Sequence, residues 1–348
     1  RLAGDGVRAG NDPVVGAGPQ LRIRRGDVRW KAATILGAIM FALMALSQFN
    51  SLPSALYAYD TTTSFPGFLA KIVLAAIGAG LGSAVLIFLL TASAEPGYRE
   101  RFPDKLSLTS LLRLRAFRSR EFFVASLVGV TLTCFFFAYE NVFYLIANAM
   151  GAWAPREVAY SDLLSTAFPW VYVLFFGFLP AISEEFISRM FSIPFFEKIF
   201  KSTALAVVVA AFIWGFGHAG YPNQPFWIRG LEVGLAGIVF GVVLLRFGIA
   251  AVVICHFSVD ALYTGFVLIR SPNLYYKISG SLSAGVFFIL LLASALAYWR
   301  KGGFLRAEVT NEVEGVAPEP EPEPQPKAEE PAAGSPAVGA RPLAGSRI

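Results

Sequence analysis

Apolar residues in this chain fall into long unbroken runs, not into the alternation of strands or the single stripe of soluble helices. Seven runs cover Trp30–Phe49, Phe68–Leu90, Phe122–Ala147, Thr203–His218, Gly230–Leu245, Ile249–Ile269 and Leu282–Trp299, and another starts near Leu163 and continues past Glu184. About 20 consecutive apolar residues span a bilayer as a helix, and a helix satisfies its own backbone there. The pattern predicts an all-α fold, a polytopic transmembrane helical bundle of about eight spans. Gly78/Gly82 and Gly237/Gly241 carry the small-xxx-small spacing of close helix contacts, and a Gly-Tyr-Pro break (Gly220, Tyr221, Pro222) ends the fifth run. Pro169 and Pro180 are expected to bend the fourth.

Polar residues between the runs set orientation. The loop 91–121 holds Arg99, Arg101, Lys105, Arg113, Arg115, Arg118 and Arg120, the densest cationic stretch beside any run. Lys and Arg are retained on the cytoplasmic side, so this loop and both termini are expected there, with Arg270 and Lys277 running mildly against it. The same pattern suggests that the functional pocket is reached from the cytoplasm. Residues 1–29 read as a flexible basic lead-in, 30–306 as the transmembrane domain, and 307–348, where eight glutamates alternate with Pro and Ala, as a disordered acidic tail. No cleavable signal peptide is read ahead of the first run.

Composition removes several function classes. With 55% hydrophobic and 15% charged residues and a mean hydropathy of +0.58, the chain is not a soluble globular protein. Its net charge of +5 is no sign of nucleic acid, because the basic residues flank apolar runs. Cys134 and Cys255, both in apolar runs, suit neither a disulfide framework nor a zinc site and are expected to be packing residues. The Gly-, Ala- and Pro-rich flavour fits an integral, multi-pass protein of a bacterial plasma membrane.

Ionisable groups at membrane depth are costly and usually functional. Ala181–Ile193 places Glu184, Glu185 and Arg189 among Phe, Leu and Ile, and the only two histidines, His218 and His256, also lie in apolar runs. Glu185 and Arg189 are four apart and can pair on one helix face, while Glu184 points about 100° away and is left for another partner. Trp214 shares a face with His218, and Asp260 shares one with His256, where its carboxylate can fix the imidazole tautomer. A carboxylate and imidazole in one pocket can deprotonate a water and return the proton to a leaving amine. Glu184, His218 and His256 also make a zinc ligand set with an open position. Glu140 and Glu232, near helix ends, are expected to be solvated or interfacial.

The order Glu184-Glu-x-x-x-Arg189, Trp214-x-x-x-His218, His256-x-x-x-Asp260 resembles the signature EExxxR, FxxxH, HxxxN/D of the CPBP intramembrane proteases. This group, also called the ABI or CAAX-protease-like family, includes the CAAX prenyl endopeptidases. The close likeness covers about 180–262. It implies an intramembrane glutamic endopeptidase with no obligatory metal or other cofactor, acting on a peptide or protein substrate that is membrane-associated or lipidated, with membrane lipid around it. Glu184 with His218 would activate water, Glu185 and Arg189 would support the site, and His256 with Asp260 would stabilise the oxyanion or orient the scissile carbonyl. Three positions depart from the pattern: Trp214 for Phe, a mild change; Met190 where Gly is common; and Asp260 where prenyl proteases have Asn. An ionised Asp cannot donate to an oxyanion, so Asp260 is either protonated or orients His256. The alternatives are a non-proteolytic immunity or scaffold protein of the same fold, or a proton-coupled transporter.

Overall fold

The structure is a computed structural model that describes residues 27–155, 162–305, 309–312 and 339. The helices of nine residues or more, in chain order, are α1 Trp30–Asn50, α2 Phe65–Arg101, α3 Arg120–Ala149, α4 Pro169–Glu185, α5 Ser192–Phe200, α6 Thr203–Gly217, α7 Ile228–Phe247, α8 Ile249–Ile269, α9 Leu274–Ala284 and α10 Val286–Lys301. Among the described residues six helical stretches are long and apolar enough to cross a membrane, and the α9–α10 pair, bent by 64°, makes a seventh if counted as one span. The protein is thus an integral, multi-pass membrane protein. Each expected run is largely helical, but Leu282–Trp299 straddles the break between α9 and α10, and the run from Leu163 becomes α4 only at Pro169. α6, however, is only 15 residues, about 22 Å long, and does not cross a bilayer alone.

Boundaries follow local chemistry. Ser64, Ser119 and Ser202 cap α2, α3 and α6 by accepting from the backbone N–H three residues on. α2 runs eleven residues past its expected end at Leu90, to Arg101, because its last turns are packed: Tyr98 is fully buried and Arg99 bridges Glu95 and Asp27. Pro169 opens α4 at its first turn, where its missing N–H costs nothing, and so does not bend it.

α8 is the central post and packs against α3, α4, α7 and α9. Glycines set the closest approaches: a Cβ on Gly177 would lie 2.6 Å from the Phe257 ring, and one on Gly215 2.5 Å from the Gly230 carbonyl oxygen. Gly237 and Gly241 pack on Ala211 and Val207 as their spacing suggests. Gly78 and Gly82 do not; they meet nothing within 4 Å, and α2 touches α1 through Gly80 against Phe41. Large side chains such as Leu74 and Leu145 cover the outside, as a lipid-facing surface requires.

The bundle has two distinct ends. At one, Arg101 pairs with Glu197, the Ile249 N–H donates to Tyr98 Oη, and the Leu305 N–H donates to the Arg118 carbonyl. At the other, Trp153 and Gln224 exchange backbone hydrogen bonds, and Tyr275 Oη donates to the Ala167 carbonyl. Part of the expected tail is ordered: Val309 and Asn311 are buried, and residues 309–311 pair with 105–107. The expected lead-in, up to Gly26, and nearly all the acidic segment lie outside the described residues; a separate unit, 316–348, contains one described residue, Gly339.

Candidate active site

The two neighbouring glutamates separate because successive helical residues diverge by about 100°. Glu185 is fully buried. Its Oε2 lies 3.2 Å from Arg189 Nε, its Oε1 3.3 Å from Arg189 Nη1, and the same Oε1 2.6 Å from His256 Nδ1. Arg189, also buried, places its guanidinium 3.8 Å from the centre of the Trp214 ring and 5.2 Å from that of Phe240. A desolvated cation–π contact is worth about 2 kcal/mol, so two rings add to what Glu185 supplies. Phe186–Phe191 winds as a π-turn, the local irregularity that often marks functional helices. It widens the helix at Arg189, and Met190 is buried in that turn.

Glu184, its side chain 32% exposed, faces the other way. Its Oε2 accepts from Trp214 Nε1 at 2.6 Å and lies 3.6 Å from His218 Nε2 and 3.9 Å from His256 Nε2. His218 Nδ1 is 3.0 Å from the Trp214 carbonyl, which accepts only from an N–H. That fixes the proton on Nδ1 and turns Nε2 to Glu184. His256 has a carboxylate at each nitrogen: Glu185 faces Nδ1, so the orienting role that the spacing gave to Asp260 is shared with Glu185. Asp260 Oδ2 lies 3.4 Å from the other nitrogen, Nε2, on the cavity side. Nor is Trp214 a mild change: it supplies Glu184 with a hydrogen bond that Phe cannot make.

Glu184, Trp214, His218, His256 and Asp260 line one cavity of about 530 Å³. Phe176, Pro180 and Glu184 form one stripe of its wall. Pro180 has no N–H, so the Phe176 carbonyl loses its ordinary helical donor and is an available acceptor above Glu184. The upper wall holds a charged cluster that includes Glu140 and Glu232, both expected to be solvated or interfacial. Arg229 Nη1 lies 2.5 Å from Glu232 and 3.0 Å from Glu140, which also accepts from Tyr263 Oη; Glu232 is fully buried. The i,i+3 spacing of Arg229 and Glu232 was the available signal, but Glu140 is remote in sequence and gave none. The cavity walls also run away from the arginine-rich loop.

The zinc set read from the sequence, Glu184, His218 and His256, has a competing contact at one ligand atom. Glu184 Oε2, the oxygen turned to both imidazoles, already accepts the indole N–H. Among the described residues no three His, Cys, Asp or Glu side chains form a group that could hold a metal ion.

Comparison with known proteins covers this same stretch. Residues 166–262 match the family model described as type II CAAX prenyl endopeptidase Rce1-like. A curated relative, the sporulation-killing factor biosynthesis protein SkfC of Bacillus subtilis (strain 168), is 31% identical over 77 residues. That match covers 22% of this chain and 16% of the relative. No solved structure matches. The matched segment includes α4, α6, α7 and most of α8, and so every residue of the three motifs. At family level it is similar to the CPBP-type proteases that the motifs resemble.

Proposed function

We propose that the protein is an intramembrane endopeptidase of the CPBP type that hydrolyses a peptide bond with water activated by Glu184 and His218. The observation that carries this reading is the division of labour between adjacent carboxylates. Glu185 is consumed by Arg189 and His256, whereas Glu184 is partly exposed and turns one oxygen toward Nε2 of both histidines inside a cavity. A water between Glu184 and His218 gives up a proton to the carboxylate, and the hydroxide attacks the scissile carbonyl carbon. The oxyanion accepts from His256 Nε2–H when that imidazole holds protons on both nitrogens, a state its placement between Glu185 and Asp260 supports. Glu184 or His218 then delivers the proton to the leaving nitrogen as the C–N bond breaks. Asp260, as an acceptor, orients His256 and does not contact the oxyanion. The Phe176 carbonyl is a partner for a substrate N–H. No step needs a metal.

The substrate is a peptide or protein presented at the membrane, and the arginine-rich loop supports a bacterial plasma-membrane orientation with both termini cytoplasmic. The test is proteolysis by the detergent-solubilised full chain against a peptide library that includes farnesylated CAAX peptides. Wild type is run beside Glu184→Ala and His256→Ala, with and without chelator. Cleavage that is lost in both variants and kept with chelator is the expected result. Cleavage retained by Glu184→Ala, or lost with chelator, refutes the mechanism.

A further inference from the structure

We infer that the cavity is entered from the extracytoplasmic side, so that its substrates are polypeptide segments displayed outside the cytoplasm, not cytosolic C-termini. This rests on the peptidase reading and adds the direction of access.

Two sets of observations combine. The first is where the cavity lies along each helix. Measured from the ends that meet the arginine-rich loop, Glu140 is about 30 Å up α3, Arg229 about 27 Å up α7 and Tyr263 about 21 Å up α8, all lining the cavity. Its rim reaches Tyr221 and Asn223, beside the Trp153–Gln224 pairing at the far end. Toward the loop end the cavity is closed. Glu185, Arg189, Met190 and Ile193 are buried there, and Leu244 and Ile249 are completely covered below them.

The second is charge. The loop end carries, besides Arg101, Lys105, Arg113, Arg115, Arg118 and Arg120, the cations Lys198, Lys201, Arg246, Arg300 and Lys301 at the C-termini of α5, α7 and α10. The far end has Arg270 and Lys277 in exposed positions and Lys71 exposed in the second turn of α2, while Arg229 is occupied by two carboxylates. Lys and Arg near span ends stay in the cytoplasm, which fixes the loop end inside and the cavity mouth outside.

The test uses the full chain with Cys134→Ala and Cys255→Ala, carrying either Gly220→Cys or Leu114→Cys. Gly220 lies beside the rim, and a Cβ there meets nothing within 4 Å; Leu114 is 83% exposed in the basic loop. A membrane-impermeant maleimide is applied to sealed right-side-out and inverted vesicles. The expected result is at least tenfold stronger labelling of Gly220→Cys in right-side-out vesicles and the reverse for Leu114→Cys. Labelling of Gly220→Cys only in inverted vesicles, or of both variants from the same face, overturns the inference. Wild type and Glu184→Ala in the same vesicles are then given the impermeant peptide library. Cleavage by wild type alone, from the outside, supports the inference; cleavage confined to inverted vesicles overturns it. No cleavage in either orientation, with Gly220→Cys labelled from outside, would sink the peptidase reading and leave the orientation standing.

Discussion

Trp214→Phe separates two jobs that one side chain performs. The ring carries the Arg189 guanidinium at 3.8 Å, and the indole N–H holds Glu184 Oε2 at 2.6 Å. Phenylalanine keeps an aromatic face for Arg189 and removes the N–H together with the five-membered ring that carries it. A hydrogen bond to a charged group is worth about 1.5–3 kcal/mol net, and about 1.4 kcal/mol is a tenfold change in rate. If that bond aims Glu184 at the attacking water, its loss lowers kcat by about 10- to 100-fold. KM stays near the wild-type value, because substrate backbone contacts along the Phe176–Pro180 wall are untouched. Freeing Glu184 should itself shift the midpoint of thermal unfolding in detergent little, since Glu184 is 32% exposed and can be hydrated, so any shift reports the packing lost with the smaller ring. Trp214→Leu removes the ring as well, and should add a stability loss of about 1–2 kcal/mol from the forfeited cation–π contact. The assay is steady-state cleavage of a peptide found in the library screen, with thermal unfolding run alongside. A Trp214→Phe enzyme within twofold of wild type in kcat refutes the positioning argument. It would mean that the two histidines alone aim Glu184.

Other substitutions test the supports around it. Arg189→Met should cost about 3–5 kcal/mol, because it leaves Glu185 charged and buried without its cation; Glu184→Gln, which keeps an acceptor for Trp214, should unfold at the wild-type temperature while losing cleavage. Arg229→Met should destabilise by a similar amount through the stranded Glu232, and Glu140→Gln by much less, seen as a difference in detergent unfolding midpoints. Gly215→Ala should sharply reduce folded yield, since the new Cβ meets backbone of α7 at 2.5 Å that cannot swing aside; Gly217→Ala, with open space around it, is the control, measured by size-exclusion recovery.

Most of the architecture could be read from the chain because a membrane helix is written as an uninterrupted apolar run. Boundaries were harder where packing prevailed over polarity. Thr91–Arg101 looks like loop, yet Tyr98 and the Glu95–Arg99 pair fold it into α2. The pairing of Glu185 with Arg189 follows from spacing within one helix, and so does the shared face of Trp214 and His218. What spacing cannot see is contact between helices. Glu185 and His256 are 71 residues apart and meet at 2.6 Å, so the role of fixing the imidazole was given to Asp260, the carboxylate nearer in sequence. Gly78 and Gly82 failed for the same reason in reverse: a small-residue motif says that a helix can approach another, not which face does.

The site's economy lies in that adjacency of Glu184 and Glu185. Placing two carboxylates and a guanidinium at membrane depth is tolerable only if most of the charge is internally matched. One glutamate accepts from both Arg189 and His256, and that pairing ties α4 to α8 while Arg189 reaches over Trp214 on α6. The same contacts that make Arg189 bearable therefore fix the mutual position of the three helices carrying Glu184, His218 and His256. Because Glu184 is the next residue on α4, any shift that misaligned it would also have to break the Glu185 cluster. Structural cost and geometric accuracy are thus coupled through one peptide bond. A Glu185→Gln variant should accordingly lose cleavage even in detergents where it stays folded, whereas a structural defect alone would be repaired by lowering the temperature.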